Sequence, residues 1–367
     1  MPSATDFMQL ALVAAREGLG RTAPNPTVGA VIVRGDAVLG RGTTLPAGQS
    51  HAEPLAILDA RARGHDIRGS TLYVTLEPCC HHGKTPPCTD AILDAGIARV
   101  VIGAIDPYPA VRGRGIQRLR QHGVEVSVGV ERDACESLIL GFARSVVHGL
   151  PEVTLKAGMS LDGHIATASG ESQWITGTEA RNFGQDLRAS HDAIVVGIGT
   201  LLVDNPRLTC RNHRCADPVP VVFDSNLRTP SDAAIFRHPR RPIVLCSEQA
   251  PQRELPAEIL RLPGSRPSIE AALRALAQRG LHRVLVEGGA ALHRSFLDSG
   301  LIDAVELFIA PVTIPGGRSW LGGPDLVWLG EASRWGAPEV LRLGDDVRLR
   351  YAVLHRMGAP FIAPSEA

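Results

Sequence analysis

The feature that most constrains this chain is a pair of short segments that carry potential metal ligands. The first segment reads His51-Ala52-Glu53, and the second begins at Pro78-Cys79 and ends at Cys88. One imidazole and two thiolates are the protein part of a catalytic zinc site, whose fourth position is left for water. Glu53 remains as a carboxylate that need not bind the metal. Any fold of this chain must therefore bring two segments that are distant in sequence to one point.

The order H-x-E followed by P-C is the signature of zinc-dependent nucleobase deaminases. In that chemistry the metal lowers the pKa of a bound water to about 7, and the glutamate carries its proton to the departing group. The usual signature has P-C-x-x-C, whereas eight residues lie between Cys79 and Cys88 here. A structural zinc site or a reduced cysteine loop is the alternative, and it leaves Glu53 without a role. His81 and His82 compete as ligands, and we rank them below the two cysteines.

Apolar periodicity predicts alternating helices and strands in the first half of the chain. Each metal segment begins a predicted helix, at 52–63 and at 89–95, where the helix dipole and free N–H groups stabilise a thiolate. A twisted sheet between helix layers follows from this pattern. The remaining predicted elements are helices at 6–17, 115–122 and 131–148, and strands at 28–33, 37–40, 71–76, 99–105 and 124–128.

A second α/β pattern begins near Pro151, because proline cannot continue a helix and so marks a plausible boundary. No G-x-G-x-x-G motif follows a strand, so the Rossmann fingerprint is absent. Two other strand-to-glycine junctions, at 197–199 and 288–289, are each expected to lead into a helix. The free backbone N–H groups there suit a phosphate, or the glycines form simple turns. The predicted helices are 178–189 and 268–279. The predicted strands are 153–157, 193–196, 219–223, 242–246, 284–286, 304–310 and 347–354, the last alternating as an edge or antiparallel strand does.

Composition narrows the class of protein. A length of 367 residues with 44% hydrophobic content suffices for two or more domains with real cores. The formal net charge of +0 offers no electrostatic attraction for a nucleic acid. Seven cysteines, partly clustered in the metal motif, favour a reducing compartment. Neither a signal peptide nor an apolar run of roughly 20 residues is visible, so we expect a cytoplasmic protein without membrane or nucleic-acid partners.

Lysine is nearly absent from the chain. Of the 38 basic residues, only Lys84 and Lys156 are lysines. A compact, strongly hydrated ammonium differs from a planar guanidinium, so both positions are candidates for functional contacts. The alternative is that the two lysines persist by chance.

Longer motifs carry a resemblance to one enzyme family. The loop Cys80-His-His-Gly-Lys-Thr-Pro-Pro87, with Pro-Asn-Pro-Thr-Val-Gly at 24–29 and Asp-Pro-Tyr-Pro-Ala-Val-Arg-Gly-Arg-Gly at 106–115, resembles the deaminase domain of the bifunctional riboflavin-pathway deaminase–reductases. Lys-Ala-Gly-Met-Ser-Leu-Asp-Gly at 156–163 and Ser-Gly-Glu-Ser-Gln-Trp-Ile-Thr at 169–176 resemble the reductase domain, as do the segments 188–193 and 200–209. The resemblance extends over nearly the whole chain.

This resemblance implies an α/β protein with a three-layer, cytidine-deaminase-like domain at 1–148 and a dihydrofolate-reductase-like domain at 151–360. The second fold explains NADPH use without a Rossmann motif. The implied reactions are hydrolytic deamination of a diamino-ribosylamino-pyrimidinone 5′-phosphate and reduction of its ribosyl side chain to ribityl. We expect zinc and NADPH as cofactors, a small-molecule substrate, and a homo-oligomer, either a dimer or a tetramer.

Residue roles follow from the same resemblance. Glu53 is the catalytic carboxylate, and the pyrimidine and its phosphate are bound by Asn25, Lys84 and Asp106. Tyr108 stands where the family usually has Asn, so no substrate contact is assigned to it. NADPH is held by Gly158, Trp174, Thr200, Asp204, Ser225, Gly289, Ala290, Ala291, Leu292, His293, Arg294 and Ser295. The ribosyl-phosphate substrate is contacted by Ser172, Arg188, Leu208, Arg211 and Glu287, with Lys156 near the reacting sugar.

The chemistry of the individual side chains supports some of these roles more strongly than others. Arg188 and Arg211 can bind a phosphate in a bidentate way, whereas Trp174 is more commonly a core residue. A cluster of Cys210, His213 and Cys215 matches no common zinc spacing, and we do not predict a metal there. Two rival hypotheses stay open: a tRNA or nucleoside deaminase with an unrelated C-terminal domain, and a non-enzymatic binding protein with a structural zinc.

Overall fold

The structure, a computed structural model, describes residues 2–211, 217–324 and 327–353. Contacts within the chain divide it into two compact units, the first unit (2–149) and the second unit (150–353). Each unit has its own sheet and hydrophobic core, and both are α/β as predicted. None of the described helices is both long and apolar enough to cross a membrane.

The first unit is built on a five-stranded sheet. Its elements are α1 (Ala4–Arg16), β1 (Gly29–Arg34), β2 (Ala37–Thr43), α2 (Ala52–Ala62), β3 (Thr71–Leu76), α3 (Cys88–Asp94), β4 (Arg99–Ala104), α4 (Arg114–Gln121), β5 (Glu125–Val128), α5 (Arg132–Leu138) and α6 (Leu140–His148). The strand order is β2-β1-β3-β4-β5. Strand β1 is antiparallel to β2 and β3, whereas β3, β4 and β5 are parallel. Parallel strands need crossover connections, and α3 and α4 supply them.

Helices cover both faces of this sheet. A Cβ on Gly29 would lie 2.0 Å from the carbonyl oxygen of Ala11 in α1, and a Cβ on Gly42 would lie 2.2 Å from that of Ala52 in α2. The two glycines belong to successive pairs of the β1–β2 ladder and so point to opposite faces. The three-layer prediction is therefore confirmed. The close approach at Gly42 also positions the first turn of α2, which carries Glu53.

The second unit is built on a nine-stranded sheet. Its elements are β6 (Glu152–Ser160), β7 (His164–Ala166), α7 (Thr178–Ala189), β8 (Ala193–Gly197), α8 (Ile198–Asp204), β9 (Val219–Phe223), β10 (Ile243–Ser247), β11 (Glu258–Leu262), α9 (Ile269–Ala277), β12 (Arg283–Gly288), α10 (Ala290–Ser299), β13 (Ala304–Ala310), β14 (Arg318–Ser319), β15 (Glu339–Leu343) and β16 (Asp346–Ala352). The order is β11-β10-β9-β8-β12-β6-β13-β16-β15, and β14 pairs with β7 separately. The strands from β11 to β13 are parallel, and β16 is antiparallel to both its neighbours. Strands β8, β12 and β6 at the centre are almost wholly buried, as parallel strands covered on both faces are.

Most predicted elements are present, with three differences. The single helix predicted at 131–148 is wrong, because the backbone leaves the helical region at Ile139 and separates α5 from α6. The apolar spacing continues through buried Ile139, so periodicity could not reveal this interruption. Strands β7, β11, β14 and β15 were not predicted, since none of them is a buried apolar run. The strand predicted at 347–354 is antiparallel but is not the edge, and its last residue lies outside the described part of the chain.

Candidate active sites

The three predicted metal ligands come together in the first unit. His51 immediately precedes α2, Cys79 follows β3, and Cys88 is the first residue of α3. Their ligand atoms all lie within 4.8 Å of one another. His51 Nδ1 is 3.2 Å from Cys88 Sγ and 3.6 Å from Cys79 Sγ. One nitrogen and two sulfurs are the ligand set of a zinc site with an open position, so these residues fit a catalytic zinc ion.

Hydrogen bonding prepares this cluster for a metal. The Cys88 thiol, together with its backbone N–H at 3.3 Å, lowers the pKa of Cys79 to about 4. Hydrogen bonding with Cys79, and then burial, raises the pKa of Cys88. Cys79 is therefore a thiolate before any metal arrives. Because metal ligands must be deprotonated, a bound metal would have to displace the proton of Cys88.

Glu53 lies in the first turn of α2 and is only 3% exposed. Burial, followed by the charge on Cys79, raises the pKa of Glu53 to about 7. A carboxyl with a pKa near neutrality can both accept and release a proton at the working pH. The structure therefore places a carboxyl that can exchange a proton near neutrality beside the metal ligands, and the catalytic role of Glu53 stays a prediction.

The loop between the two cysteines is largely exposed. His81, His82 and Lys84 are all exposed, and neither histidine joins the metal cluster of the described residues. Thr85, which sequence reasoning missed, has its hydroxyl 3.4 Å from His51 Nε2. A polar partner on the second ring nitrogen orients a metal-binding histidine. No sequence signal distinguished this threonine, because only the folded loop brings it to His51.

Glu77 is a second residue that sequence reasoning missed. It is buried at the end of β3, and its carboxylate accepts backbone N–H bonds from Asp106 (3.3 Å), Gly113 (2.9 Å), Gly115 (3.0 Å) and Ile116 (3.2 Å). These bonds fasten the 106–116 segment to the strand end that leads into the metal ligands. The available signal was an acidic residue directly after a buried apolar strand, since a buried carboxylate needs partners.

The predicted pyrimidine-binding residues differ in their surroundings. Burial raises the pKa of Asp106 to about 7, and its carboxylate accepts the N–H of Tyr108 at 2.8 Å. The ring of Tyr108 is exposed and lies 5.9 Å from the ring of His81. Asn25 is half-buried, and its N–H donates to a neighbouring backbone carbonyl. The roles of Asn25, Lys84 and Asp106 stay predictions.

Two adjoining cavities lie in the second unit. Cavity A, of about 520 Å³, and cavity B, of about 700 Å³, share the lining residues Gly197, Gly199, Ala291 and Leu292. They lie where the parallel strands β8, β9 and β12 end, which is where open α/β sheets bind ligands. Two adjoining cavities of this size have room for a dinucleotide such as NADPH.

Most of the residues predicted to bind cofactor or substrate in this unit line one of the two cavities. Cavity A is lined by Lys156, Gly158, Ser172, Trp174, Thr200, Asp204, Glu287, Gly289, Ala290, Ala291, Leu292 and His293. Cavity B is lined by Ser225, Ala291, Leu292 and Ser295. Residues from several separate elements of the second unit therefore converge on one cleft.

Arg188 and Glu287 form a bidentate ion pair with each other. Both N–H···O distances between the side chains are 2.7 Å, and a third guanidinium donor reaches the carbonyl of Thr209 at 2.8 Å. Although burial opposes it, the Arg188 charge lowers the pKa of Glu287 to about 2. Glu287 is thus held as an anion on the wall of cavity A. The phosphate-binding role of Arg188 stays a prediction.

Trp174 is a surface residue of the cleft and not a core residue. It is 60% exposed, and the guanidinium of Arg181 lies 4.8 Å from the centre of its ring. Arg181 and Arg318 both line cavity A, and sequence reasoning singled out neither of them. In a chain with so many arginines, residue type alone could not identify these two.

Four predicted residues line neither cavity, and one of them is Arg188, described above. Leu208 is buried, and the backbone N–H of Arg211 donates to Gln185 at 2.8 Å. Arg294 is paired with Asp298 at 2.8 Å. Their assigned contacts stay predictions.

The cysteine–histidine cluster near residue 210 is only partly visible. Cys210 Sγ lies 3.4 Å from the carbonyl oxygen of Gln185. His213 and Cys215 lie outside the described residues.

Family models match both parts of the chain. The model for the cytidine and deoxycytidylate deaminase zinc-binding region matches residues 1–104, and the model for the RibD C-terminal domain matches residues 151–348. The chain is 38% identical over 360 residues to the riboflavin biosynthesis protein RibD of Actinobacillus pleuropneumoniae, covering 95% of both. It is 37% identical to that of Escherichia coli, covering 96% of this chain and 99% of the relative.

Solved structures agree with these matches. A deaminase and 5-amino-6-(5-phosphoribosylamino)uracil reductase from Thermotoga maritima superposes with a TM-score of 0.87 at 38% identity, covering 95% of this chain and 98% of the other. RibD of Acinetobacter baumannii superposes with a TM-score of 0.85 at 37% identity, with the same coverage. The chain therefore belongs to the RibD family of riboflavin biosynthesis proteins, which join a zinc-dependent deaminase to an NADPH-dependent reductase.

Proposed function

We propose that the chain catalyses two consecutive steps on one small molecule. Its first domain deaminates 2,5-diamino-6-ribosylamino-4(3H)-pyrimidinone 5′-phosphate, and its second domain reduces the ribosyl side chain of the product to ribityl. The observation that carries the proposal is the meeting of His51, Cys79 and Cys88 beside the buried Glu53. We take the domains as 1–148 and 151–360, of which residues 1, 212–216, 325–326 and 354–360 lie outside the described part.

Deamination requires a proton carrier at the reacting carbon. Zinc, when bound by the three ligands, supplies a water whose pKa lies near 7. Glu53 would take a proton from the attacking water and deliver it to the departing amine. A C–O bond forms at the ring carbon and the C–N bond breaks, so water is consumed and ammonia is released. Asn25, Lys84 and Asp106 hold the pyrimidine and its phosphate.

Reduction requires the sugar and the cofactor to be held together in the cleft. When bound in the cleft, NADPH would supply the hydride for C1′ of the sugar, and the bond from C1′ to the ring oxygen would break. The ring oxygen takes up a proton, so the product gains two hydrogens. Lys156, Ser172 and Glu287 line cavity A and hold the sugar in place. The anionic Glu287, fixed by Arg188, accepts hydrogen bonds from sugar hydroxyls.

Mass spectrometry of the purified enzyme with the diamino-pyrimidinone ribosyl phosphate tests both steps. We expect exchange of one amino group for oxygen without NADPH, and a further gain of two hydrogens only when NADPH is present. Turnover of free nucleosides or tRNA with indifference to NADPH would instead support the deaminase with an unrelated second domain. That rival is disfavoured, because the second unit matches the RibD C-terminal family.

We also propose that the enzyme works in the cytoplasm as a homo-oligomer, either a dimer or a tetramer. The six cysteines among the described residues are free thiols, which suits a reducing compartment. Light scattering coupled to size-exclusion chromatography measures the oligomeric mass directly. A mass equal to one chain would contradict this part of the proposal.

A further inference from the structure

One side wall of cavity A is made by two segments that are distant in sequence. The segment 161–170 contains β7, and the segment 312–320 contains β14, which pairs with β7. The residues of this side wall that line cavity A are Ile165, Ala166, Gly170 and Arg318. Neither segment belongs to the nine-stranded sheet, so contacts between the two segments must hold the side wall in place.

Asp162 joins the two segments of the side wall. The backbone N–H of Ile314 donates to its carboxylate, and the nitrogen lies 3.0 Å from each oxygen. Nδ1 of His164 lies 3.3 Å from the carboxylate, and the hydroxyl of the fully buried Ser160 also donates to it. An aspartate that only stabilised its own turn would bond to nearby backbone groups, whereas Ile314 is 152 residues away. Asp162 therefore fastens the end of β6 to the second segment.

The same hydrogen bonds keep Asp162 charged and occupied. The bond from the Ser160 hydroxyl, followed by that from the Ile314 N–H, lowers the pKa of Asp162 to about 2. The carboxylate is therefore an anion at neutral pH. Asp162 is not among the described residues that line cavity A or cavity B. Because its oxygens serve donors of the protein itself, any effect on a bound ligand is transmitted through the side wall.

The side wall also contacts residues of the cavity that lie outside it. The N–H of Trp320 donates to the carbonyl of Gly163 at 3.1 Å, and Nδ1 of His293 lies 3.1 Å from the carbonyl oxygen of Trp320. His293 is buried and lines cavity A. Lys156, which also lines cavity A, lies on β6, the strand that ends at Ser160. A displacement of the side wall therefore changes the shape of cavity A beyond the wall itself.

We propose that Asp162 is a positioning residue of the reductase, which holds the side wall of cavity A in the geometry that reduction of the sugar requires. The inference rests on the proposed function of the second domain. Loss of the carboxylate leaves the N–H of Ile314 and the buried hydroxyl of Ser160 without their acceptor, so the side wall must move to satisfy them. A misplacement of roughly 1 Å in an active site can lower the rate about 100-fold.

Steady-state reduction of the deaminated intermediate tests the inference. Asp162→Ala should lower kcat/KM about 10- to 100-fold, with a rise of at least about fivefold in the KM for the intermediate. A smaller amount of folded enzyme cannot change KM, so this rise separates positioning from a simple loss of stability. Asp162→Asn should restore most of the activity, because the amide oxygen still accepts the N–H of Ile314. Asp232→Ala is the matched control, since Asp232 is exposed and lines neither cavity. Deamination by all three variants should equal that of the parent.

Hydrogen exchange, measured by mass spectrometry, provides a second readout without turnover. In Asp162→Ala the backbone N–H groups of the segment 312–320 should exchange at least about tenfold faster than in the parent, while peptides from β8 and β12 exchange at the parent rate. Unchanged exchange in this segment, an unchanged KM, or a loss of activity that Asp162→Asn shares in full would overturn the inference. A parent enzyme that does not reduce the deaminated intermediate with NADPH would instead refute the proposed function of the second domain.

Discussion

Replacing Glu77 by glutamine should uncouple the 106–116 segment from the metal site. One carboxylate oxygen accepts the N–H groups of Gly115 and Ile116, and the other accepts those of Asp106 and Gly113. Glutamine retains one oxygen and turns an NH₂ group toward two buried donors. Two hydrogen bonds to a charged acceptor, each contributing about 1.5–3 kcal/mol, are lost. We expect the free energy of unfolding of the first unit to fall by about 3–6 kcal/mol.

The assay combines calorimetry with separate measurements of the two activities and of zinc content. At about 2–4 °C per kcal/mol, the unfolding transition of the first unit should fall by at least about 6 °C. The KM for deamination should rise because Asp106 is displaced, while reduction of the deaminated intermediate is unchanged. Glu125→Gln is the control, since its side chain is 69% exposed and its pair with Arg99 is at the surface. A Glu77→Gln protein with the parent's transition temperature and deamination KM would refute this reasoning.

Three further predictions address both units. Glu53→Gln should lower the deamination rate by about 10²- to 10⁴-fold without affecting reduction, and the two activities falling together in a folded protein would contradict the two-site description. Burial lowers the pKa of His191 from 6.5 to about 4, so the folded protein binds this proton less readily than the unfolded chain. Stability of the second unit should therefore fall by about 3 kcal/mol as the pH drops from 6.5 to 4, and urea unfolding at several pH values should show a flatter profile for His191→Gln. Arg188→Met should destabilise the second unit by about 3–5 kcal/mol, and the double variant with Glu287→Met should recover most of that loss in a double-mutant cycle.

Sequence reasoning succeeded where local signals decide the structure. The metal ligands lie at the ends of elements whose apolar periodicity is strong, so their positions before α2, after β3 and at the start of α3 were predictable. Helices were also expected after the strand-to-glycine junctions, and α8 and α10 are found there. In each case the deciding interactions lie within a few residues of one another.

Sequence reasoning failed where the partner lies far along the chain. Glu77 was not identified because its partners are backbone N–H groups 29 to 39 residues away, which carry no side-chain signal. Arg188 and Glu287 were both selected by resemblance, yet their mutual ion pair joins residues 99 apart. Trp174 is on the wall of a cavity although aromatic residues usually favour the core.

The sequence by itself determined the class of chemistry and the alternation of elements. Ligand type, motif order and apolar periodicity are local properties that can be read from the sequence before any fold is known. The tertiary structure alone decided which charges are paired, which carboxyls are buried enough to titrate near neutrality, and which arginines face an open cavity. Those properties depend on desolvation and on distances between remote segments, and both arise only when the sheets and helices pack.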